Sequence, residues 1–388
     1  MTRPTERTIY LDHNSTTPLL PEALEAMTPY LTTHHGNASS LHRFGRVARD
    51  AVEVARDTVA ALIGARSSEV IFTSGGTESS NFALSGVLAG ASGGRAGVVT
   101  TAVEHHAVLE TAEALGRAGH HVAVVGVDAR ARVDMVRLGG AVGAHTAVVS
   151  VMHANNETGT IQPVREVADL AHARGALFHT DAAQSVGKER VDVKALGVDL
   201  LSLSAHKFGG PKGVGALYIK HGTPVARFHH GGAHERNLRA GTENVAGIVG
   251  MARALQVAHE DMDDCRRLTR ELAHTFVDGL ERRVDGVRIN SPADGLPGTV
   301  NVSFGGAEGE SLVLGFDLEG ICLSTGSACA SGSMEPSHVI QAMGLRDDLA
   351  RGTLRFSFGR GNTMADVEET LDTLERLVAR CRKRAGTG

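Results

Sequence analysis

Hydrophobic residues recur at two spacings along the chain, and these spacings predict its secondary structure. In residues 46–63 apolar side chains stand three and four positions apart until Gly64, which predicts an amphipathic helix. Short apolar runs, such as residues 97–101 and 198–203, predict buried strands. From residue 69 to residue 203 strands and helices alternate, which predicts a parallel sheet with crossover helices. Ligands of such sheets bind at the carboxyl ends of the strands.

The last third of the chain has a different pattern. Residues 245–284 predict a long helical region, and residues 364–380 predict a terminal helix. Between them the segments VRINS, PGTVNVSF and TLRFSF predict strands outside the large sheet.

The composition is that of a soluble globular protein, because 388 residues with 42% hydrophobic and 21% charged residues can form two domains. A formal net charge of -5 argues against a nucleic-acid partner. No apolar run approaches membrane-spanning length, and residues 1–7 lack the apolar core of a signal peptide, so we expect a cytoplasmic enzyme that does not bind a membrane. Four scattered cysteines predict reduced thiols rather than a disulfide framework or a metal site.

The segment SLSAHKFGGPKGVG, residues 202–215, carries a candidate nucleophile. Lys207 follows a predicted buried strand and precedes a glycine-rich turn. An amine attacks an aldehyde only after losing its proton, and partial burial with positive charge from His206 and Lys212 favours that loss. Lys207 is therefore a candidate Schiff-base lysine. Taken alone, a lysine after a strand is more often a solvated loop residue.

The segment EVIFTSGGTESSNFAL predicts a phosphate-binding turn. A short strand leads into Ser74, Gly75, Gly76 and Thr77, and a helix follows. Bare amides and the positive dipole end of a helix attract anions, and Thr77 adds a hydroxyl. The alternative is an ordinary strand-to-helix turn with a threonine cap.

A third group of candidates follows two other predicted strands. Asp181 ends the strand ALFHTD, where its carboxylate can pair with a pyridinium nitrogen, and Gln184 can hydrogen-bond a ring hydroxyl. His105 or His106, just before a helix, can stack on a flat cofactor. A strand-terminal aspartate is also a common helix cap. The ordered set of phosphate turn, histidine, strand-end aspartate and strand-end lysine predicts pyridoxal 5'-phosphate (PLP).

Several segments resemble the cysteine desulfurases of the NifS/IscS kind, in the class V aminotransferase family, over nearly the whole chain. They are LDHNSTTP, TSGGTESSN, VSVMHANNETG, HTDAAQSVGK, SAHKFGGPKGVGALY, RAGTEN and STGSACASG. The resemblance implies an α/β enzyme of PLP fold type I that acts as a homodimer. It implies a large, mostly parallel seven-stranded sheet domain at residues 15–255. Residues 1–14 and 256–388 would form a small α/β domain.

The resemblance also implies roles for individual residues. Lys207 would carry the cofactor as a Schiff base, Asp181 would face the pyridine nitrogen and Gln184 the ring oxygen. His105 would face the ring and act in catalysis. The phosphate of the cofactor would be bound by Gly76, Thr77, Ser204, His206 and, from the partner subunit, Thr242.

The resemblance makes Cys329 the catalytic cysteine, on a small-residue loop at about residues 323–334 that is expected to be mobile. Its thiolate would take the sulfur of L-cysteine as a persulfide, release alanine and pass the sulfur to an acceptor, such as an iron–sulfur scaffold or a thiolation enzyme. The only metal contact implied is transient ligation of a cluster by Cys329. Cys265, Cys322 and Cys381 are interpreted as structural.

Arg355, assisted by Asn156, resembles the arginine that holds the substrate carboxylate, and an ordinary ion pair is the alternative. Other functions remain open at this point: a selenocysteine lyase, another PLP-dependent C–S lyase or aminotransferase, or a non-catalytic delivery subunit. The segment HNSTTP departs from the commoner NATTP or SATTP, a change that we expect to leave the chemistry intact. The sulfur acceptor stays open.

Overall fold

The computed structural model describes residues 8–325 and 336–385. The strands are β1 Ile9–Tyr10, β2 Val70–Thr73, β3 Gly97–Thr101, β4 His121–Val125, β5 Thr146–Ser150, β6 Leu177–Asp181, β7 Leu200–Ser204, β8 Gly215–Ile219, β9 Val287–Ile289, β10 Thr299–Phe304, β11 Ile321–Cys322 and β12 Thr353–Ser357.

The helices are α1 Pro21–Thr32, α2 Arg43–Leu62, α3 Gly76–Gly90, α4 His106–Arg117, α5 Met135–Ala141, α6 Val164–Ala173, α7 Val193–Leu196, α8 Glu235–Leu238, α9 Val245–Glu260, α10 Met262–Arg283, α11 Gly309–Leu318, α12 His338–Ala342, α13 Asp347–Ala350 and α14 Met364–Ala385. Among the residues that the structure describes, no helix is long and apolar enough to cross a membrane.

Seven strands form one large sheet in the order β2-β8-β7-β6-β5-β3-β4. Strand β8 runs antiparallel to β2 and β7, and the other neighbours are parallel. Most of these strands are short and buried along their whole length, as expected where helices cover both faces of a parallel sheet. The prediction of a mostly parallel seven-stranded α/β sheet is confirmed.

Two apolar cores lie on the two faces of this sheet. One contains buried residues of α2, α6 and α9, and the other contains buried residues of α3 and α4. The sheet is therefore covered on both sides, which leaves its strand ends as the place where a ligand can enter.

A smaller antiparallel sheet, in the order β12-β10-β9, packs with α10, α11 and α14 around a third core. Strand β1, near the start of the chain, pairs in parallel with β11, and Ile9 and Leu11 join this core. The predicted domain boundary after residue 255 falls inside α9. The division into two domains stays a prediction.

The long helical region predicted at residues 245–284 is two helices. The break falls at Asp261, which ends α9 and precedes α10. The two helices bury their apolar faces in different cores, α9 under the large sheet and α10 under the small one. A single straight helix cannot serve both cores, and hydrophobic spacing alone does not reveal that constraint.

Candidate active site

A cleft of about 290 Å³ opens where the parallel strands of the large sheet end. Its lining includes loop residues that follow β3, β5, β6 and β7. Ten residues selected from the sequence line it together: Gly76, Thr77, His105, Asn156, Asp181, Gln184, Ser204, His206, Lys207 and Arg355. The topology thus brings together candidates that lie far apart in the chain.

The predicted phosphate-binding turn lies between β2 and α3. Gly75 has a φ of 153°, a conformation that residues with a Cβ rarely adopt, so this position requires glycine. The helix begins at Gly76 without a side-chain cap from any described residue, which leaves its first amides able to bind an anion. Thr77, Ser204 and His206 line the same cleft.

Asp181 ends β6 and lines the cleft, although its exposure is only 6%. One carboxylate oxygen accepts a hydrogen bond from the amide of Ala183 at 2.9 Å. Burial raises the pKa of this carboxyl because the charged form loses hydration, while His105 and Lys207 act in the opposite direction. A cation that enters the cleft beside Asp181 would therefore stabilise the carboxylate.

His105 is the N-cap residue of α4. Its Nδ1 accepts a hydrogen bond from the amide of Ala107 at 3.0 Å, so the neutral ring carries its proton on Nε2. Burial lowers the pKa of this imidazole, although Asp181 opposes that shift. Near neutral pH, His105 is therefore a neutral ring that can donate from Nε2.

Lys207 lies in a short turn directly after β7. Its Nζ donates to the backbone carbonyls of Asn14 at 2.6 Å and Ser15 at 2.8 Å. Burial lowers the pKa of His206 to about 4, with further lowering by Lys207 and Lys212. The expectation that His206 adds positive charge near Lys207 is therefore wrong: its ring is neutral at pH 7.

Arg355 is the largest fully buried side chain among the described residues. Its Nη1 donates to the carbonyl of Asn156 at 2.9 Å, and its Nη2 donates to Asp12 and to the hydroxyl of Ser15, each at 2.7 Å. The guanidinium thus lines the cleft while holding an ion pair with Asp12. Ser15, one of the residues in the unusual HNSTTP segment, is in direct contact with it.

Asn14 and Lys188 join the site behind Gln184. The sequence placed Asn14 in a loop expected to lie over a site but gave neither residue a role. Gln184 donates through Nε2 to the carbonyl of Asn14 at 2.8 Å and accepts from Lys188 at 3.1 Å. The contacts of Asn14 to Gln184 and Lys207 use its backbone carbonyl, which its residue type does not reveal. Lys188 stands four positions after Gln184 in HTDAAQSVGK, and this spacing does not by itself indicate a contact between the two side chains.

Two buried acids also flank the cleft. Glu104 accepts hydrogen bonds from the amide of Met152 at 2.9 Å and the hydroxyl of Thr101 at 2.8 Å, and burial raises its pKa to about 8. Glu157 accepts from the hydroxyl of Ser337 at 2.6 Å, and burial raises its pKa as well. Neither acid was assigned a role from the sequence.

Thr242 lies away from this cleft, and Cys329 is not among the described residues. Thr242 lines a shallow depression with Phe228 and His229. Cys329, and most of the loop predicted around it, lies outside the described residues.

The other three cysteines are free, partly buried thiols. Burial raises the pKa of Cys265 and of Cys322, which keeps both as protonated thiols near neutral pH. Cys322 belongs to β11 and is partly buried.

The chain matches the family model "Aminotransferase class-V" over residues 9–370. A relative named cysteine desulfurase IscS, from Dictyoglomus turgidum, is 49% identical over 379 residues, which cover 97% of this chain and 96% of that protein. A cysteine desulfurase from Cereibacter sphaeroides is 47% identical over 377 residues, covering 96% of each.

Solved structures agree with these relatives. A NifS-like protein superposes with a TM-score of 0.91 at 38% identity, covering 96% of this chain and 100% of that one. SspA, solved in complex with cysteine, superposes with a TM-score of 0.80 at 32% identity, covering 91% of this chain and 99% of that one. The chain therefore belongs to the class V aminotransferase family and, within it, to the cysteine desulfurases of the NifS/IscS kind.

Proposed function

We propose that this protein removes sulfur from L-cysteine in the cleft described above, with PLP as cofactor and Cys329 as the sulfur carrier. The observation that supports this most strongly is that Lys207, Asp181, His105 and the start of α3, which no described side chain caps, converge on one cleft. The relatives named cysteine desulfurase support the choice of reaction, and the complex of SspA with cysteine supports the choice of substrate.

The side chains of the cleft match the chemical groups of PLP. The free amides at the start of α3, with Thr77 and Ser204, match a phosphate. Asp181, buried and able to gain a cationic partner, matches a protonated ring nitrogen. Gln184 would contact the ring oxygen, and Lys207 would form the covalent attachment. When bound, the cofactor supplies an electron sink for the substrate Cα.

Each side chain has a task that follows from its surroundings. The Asp181 carboxylate would hold a proton on the ring nitrogen, since the pair stabilises both charges in a buried place. Lys207, once released, is an amine positioned by two backbone carbonyls and can take the proton from Cα. His105 can donate from Nε2 because its Nδ1 is engaged.

The substrate carboxylate would bind at Arg355. The guanidinium has planar donors that suit a carboxylate, and Asn156 lies beside it. In the structure Arg355 Nη2 is paired with the Asp12 carboxylate, so the substrate carboxylate would share the guanidinium with Asp12. Neutral analogues without the carboxylate should therefore bind poorly.

Sulfur transfer balances without an oxidant. The Cys329 thiolate attacks the substrate sulfur, an S–S bond forms, and the substrate C–S bond breaks with its electron pair returning to Cβ. The thiol proton of the substrate becomes the third hydrogen of the alanine methyl group. Lys207 would return to Cα the proton that it removed. The products are alanine and a persulfide on Cys329, which a sulfur-acceptor protein would then collect.

We also propose that the protein acts as a homodimer. Thr242 lies in a different depression from the cleft of its own chain, which suits a residue that would reach the partner's phosphate site. Analytical ultracentrifugation of the holoenzyme tests this proposal: a monomer that retains full activity would contradict it.

The direct test is to supply PLP and L-cysteine to the purified protein and measure products. We expect a visible absorption band, alanine formation, and a mass increase of one sulfur on the peptide that contains Cys329. A Cys329→Ala variant should keep the absorption band and lose the persulfide. Sulfide release from cysteine at the wild-type rate by that variant would refute the persulfide route.

A further inference from the structure

Lys188 lies behind the cleft in an unusual setting for a lysine. It is partly buried, and its Nζ donates to two side-chain amide oxygens, Asn14 Oδ1 at 3.0 Å and Gln184 Oε1 at 3.1 Å. Both partners are neutral. The strongest charges that act on the ammonium are cationic, Lys207 and Arg355, and together with burial they lower the pKa of Lys188 to about 7.

The contact with Lys188 determines which way the Gln184 amide faces. Lys188 donates to the Gln184 oxygen at 3.1 Å, and in its ammonium form it has only donors, so this contact turns the Gln184 oxygen toward Lys188. The amide nitrogen then points the other way, and one of its hydrogens bonds the carbonyl of Asn14 at 2.8 Å. Because Gln184 lines the cleft, the second hydrogen of its amide nitrogen is available to a group bound there. Lys188 and Asn14 thus select one of the two amide orientations from behind.

We infer that Lys188 is a positioning residue that holds the Gln184 amide with its N–H toward the ring oxygen of the cofactor. This inference rests on the proposed contact between Gln184 and that oxygen. Without Lys188, Gln184 Oε1 loses its donor, and the Asn14 carbonyl alone opposes the flipped amide, in which the oxygen would face the ring oxygen. The flipped form would repel the cofactor, because two acceptors would then face each other.

Lys188 also borders a cavity, so its side chain can be replaced without filling or straining the core. Its side chain also lines a cavity of about 460 Å³ between the large and small sheets, together with His13, Phe208 and Cys265. Burial lowers the pKa of His13 to about 4, so that ring is neutral at pH 7. A shorter side chain at position 188 would therefore open toward existing space that water can enter.

The test is a double-mutant cycle on PLP affinity, with Lys188→Met, Gln184→Ala and the double variant. A hydrogen bond of ordinary strength is worth about fivefold in affinity, so Lys188→Met should weaken PLP binding about fivefold. Gln184→Ala should weaken it about tenfold, because the whole contact is lost. If Lys188 acts through Gln184, the double variant should also lose about tenfold, since residues that share one contact are not additive.

The absorption maximum of the bound cofactor gives a second readout that loss of stability does not change. Lys188→Met and Gln184→Ala should shift it in the same direction, and the double variant should shift it no further. Lys194→Met is the matched control, because Lys194 is an exposed lysine on α7 and should leave both readouts unchanged. If Lys188→Met does not fold, as judged by its thermal unfolding, Lys188→Ala serves in the same cycle.

The outcomes separate the inference from the proposed function. A wild-type protein that binds no PLP would overturn both. A wild-type protein that binds PLP, with losses that multiply to about fiftyfold in the double variant, would overturn the inference alone. A Lys188→Met variant that matches Lys194→Met in affinity and spectrum would do the same.

Discussion

Replacing Arg355 with lysine tests the carboxylate site at the edge of the cleft. The guanidinium bonds the Asn156 carbonyl through one terminal nitrogen and Asp12 and Ser15 through the other. A lysine ammonium is a single point that can keep the pair with Asp12 but cannot span all three partners. Two hydrogen bonds from a charged donor would be lost, which corresponds to about 3 kcal/mol of unfolding free energy.

The effect on substrate binding follows from the same geometry. Losing one of two parallel contacts to a carboxylate costs about 2 kcal/mol, which raises KM for L-cysteine about 30-fold. The carboxylate does not change charge during the reaction, so kcat should change little. Alanine formation at varied cysteine concentration gives both constants, and urea unfolding gives the stability.

Arg360→Lys is the matched control for this experiment. Arg360 pairs with Asp261 at the surface, where an ion pair contributes less than about 1 kcal/mol, so both KM and stability should stay near wild type. If Arg355→Lys lowers stability but leaves KM within about twofold, Arg355 is a structural ion pair with Asp12 and the carboxylate site lies elsewhere.

Two further substitutions test the electrostatics of the cleft. His105→Phe keeps a flat ring but removes the Nε2 proton, so we expect alanine formation to fall about 100-fold or more while PLP stays bound; a rate within threefold of wild type would rule out proton transfer by His105. Burial raises the pKa of Glu104 from 4.5 to about 8, so the folded protein binds this proton more tightly than the unfolded chain. The stability that this proton contributes is full below pH 4.5 and is lost as the pH rises to about 8. Glu104→Gln should remove that contribution to the pH dependence, and urea unfolding from pH 5 to pH 9 should show a smaller loss of stability than in the wild type; an unchanged pH profile would show that Glu104 ionises normally.

The sequence predicted those parts of the site that follow from local pattern. Asp181 ends one buried strand of the parallel sheet and Lys207 lies in the turn after the next one. The ends of such strands meet at one edge, so the proximity of the two residues followed from topology. The turn before α3 was recognisable from its glycines and the following helix. Each strand end and the turn before α3 are encoded by residues within a few positions of one another.

Other parts of the site depend on contacts between distant segments, which residue spacing does not encode. Asn14 meets Lys207 through its backbone carbonyl, so the identity of its side chain gave no sign of that contact. Glu104 shows no special pattern, and only the folded structure reveals its complete burial. His206 was expected to be charged beside Lys207, but burial makes its ring neutral.

The measurement that tests the central claim most directly is the stoichiometry of a single turnover. Purified protein loaded with PLP should be mixed with L-cysteine, quenched, and analysed by mass spectrometry for alanine and for sulfur on the Cys329 peptide. We predict one alanine for each persulfide formed, and no persulfide in Cys329→Ala. Pyruvate or another keto acid with an unmodified Cys329 would contradict the account and indicate a lyase or an aminotransferase.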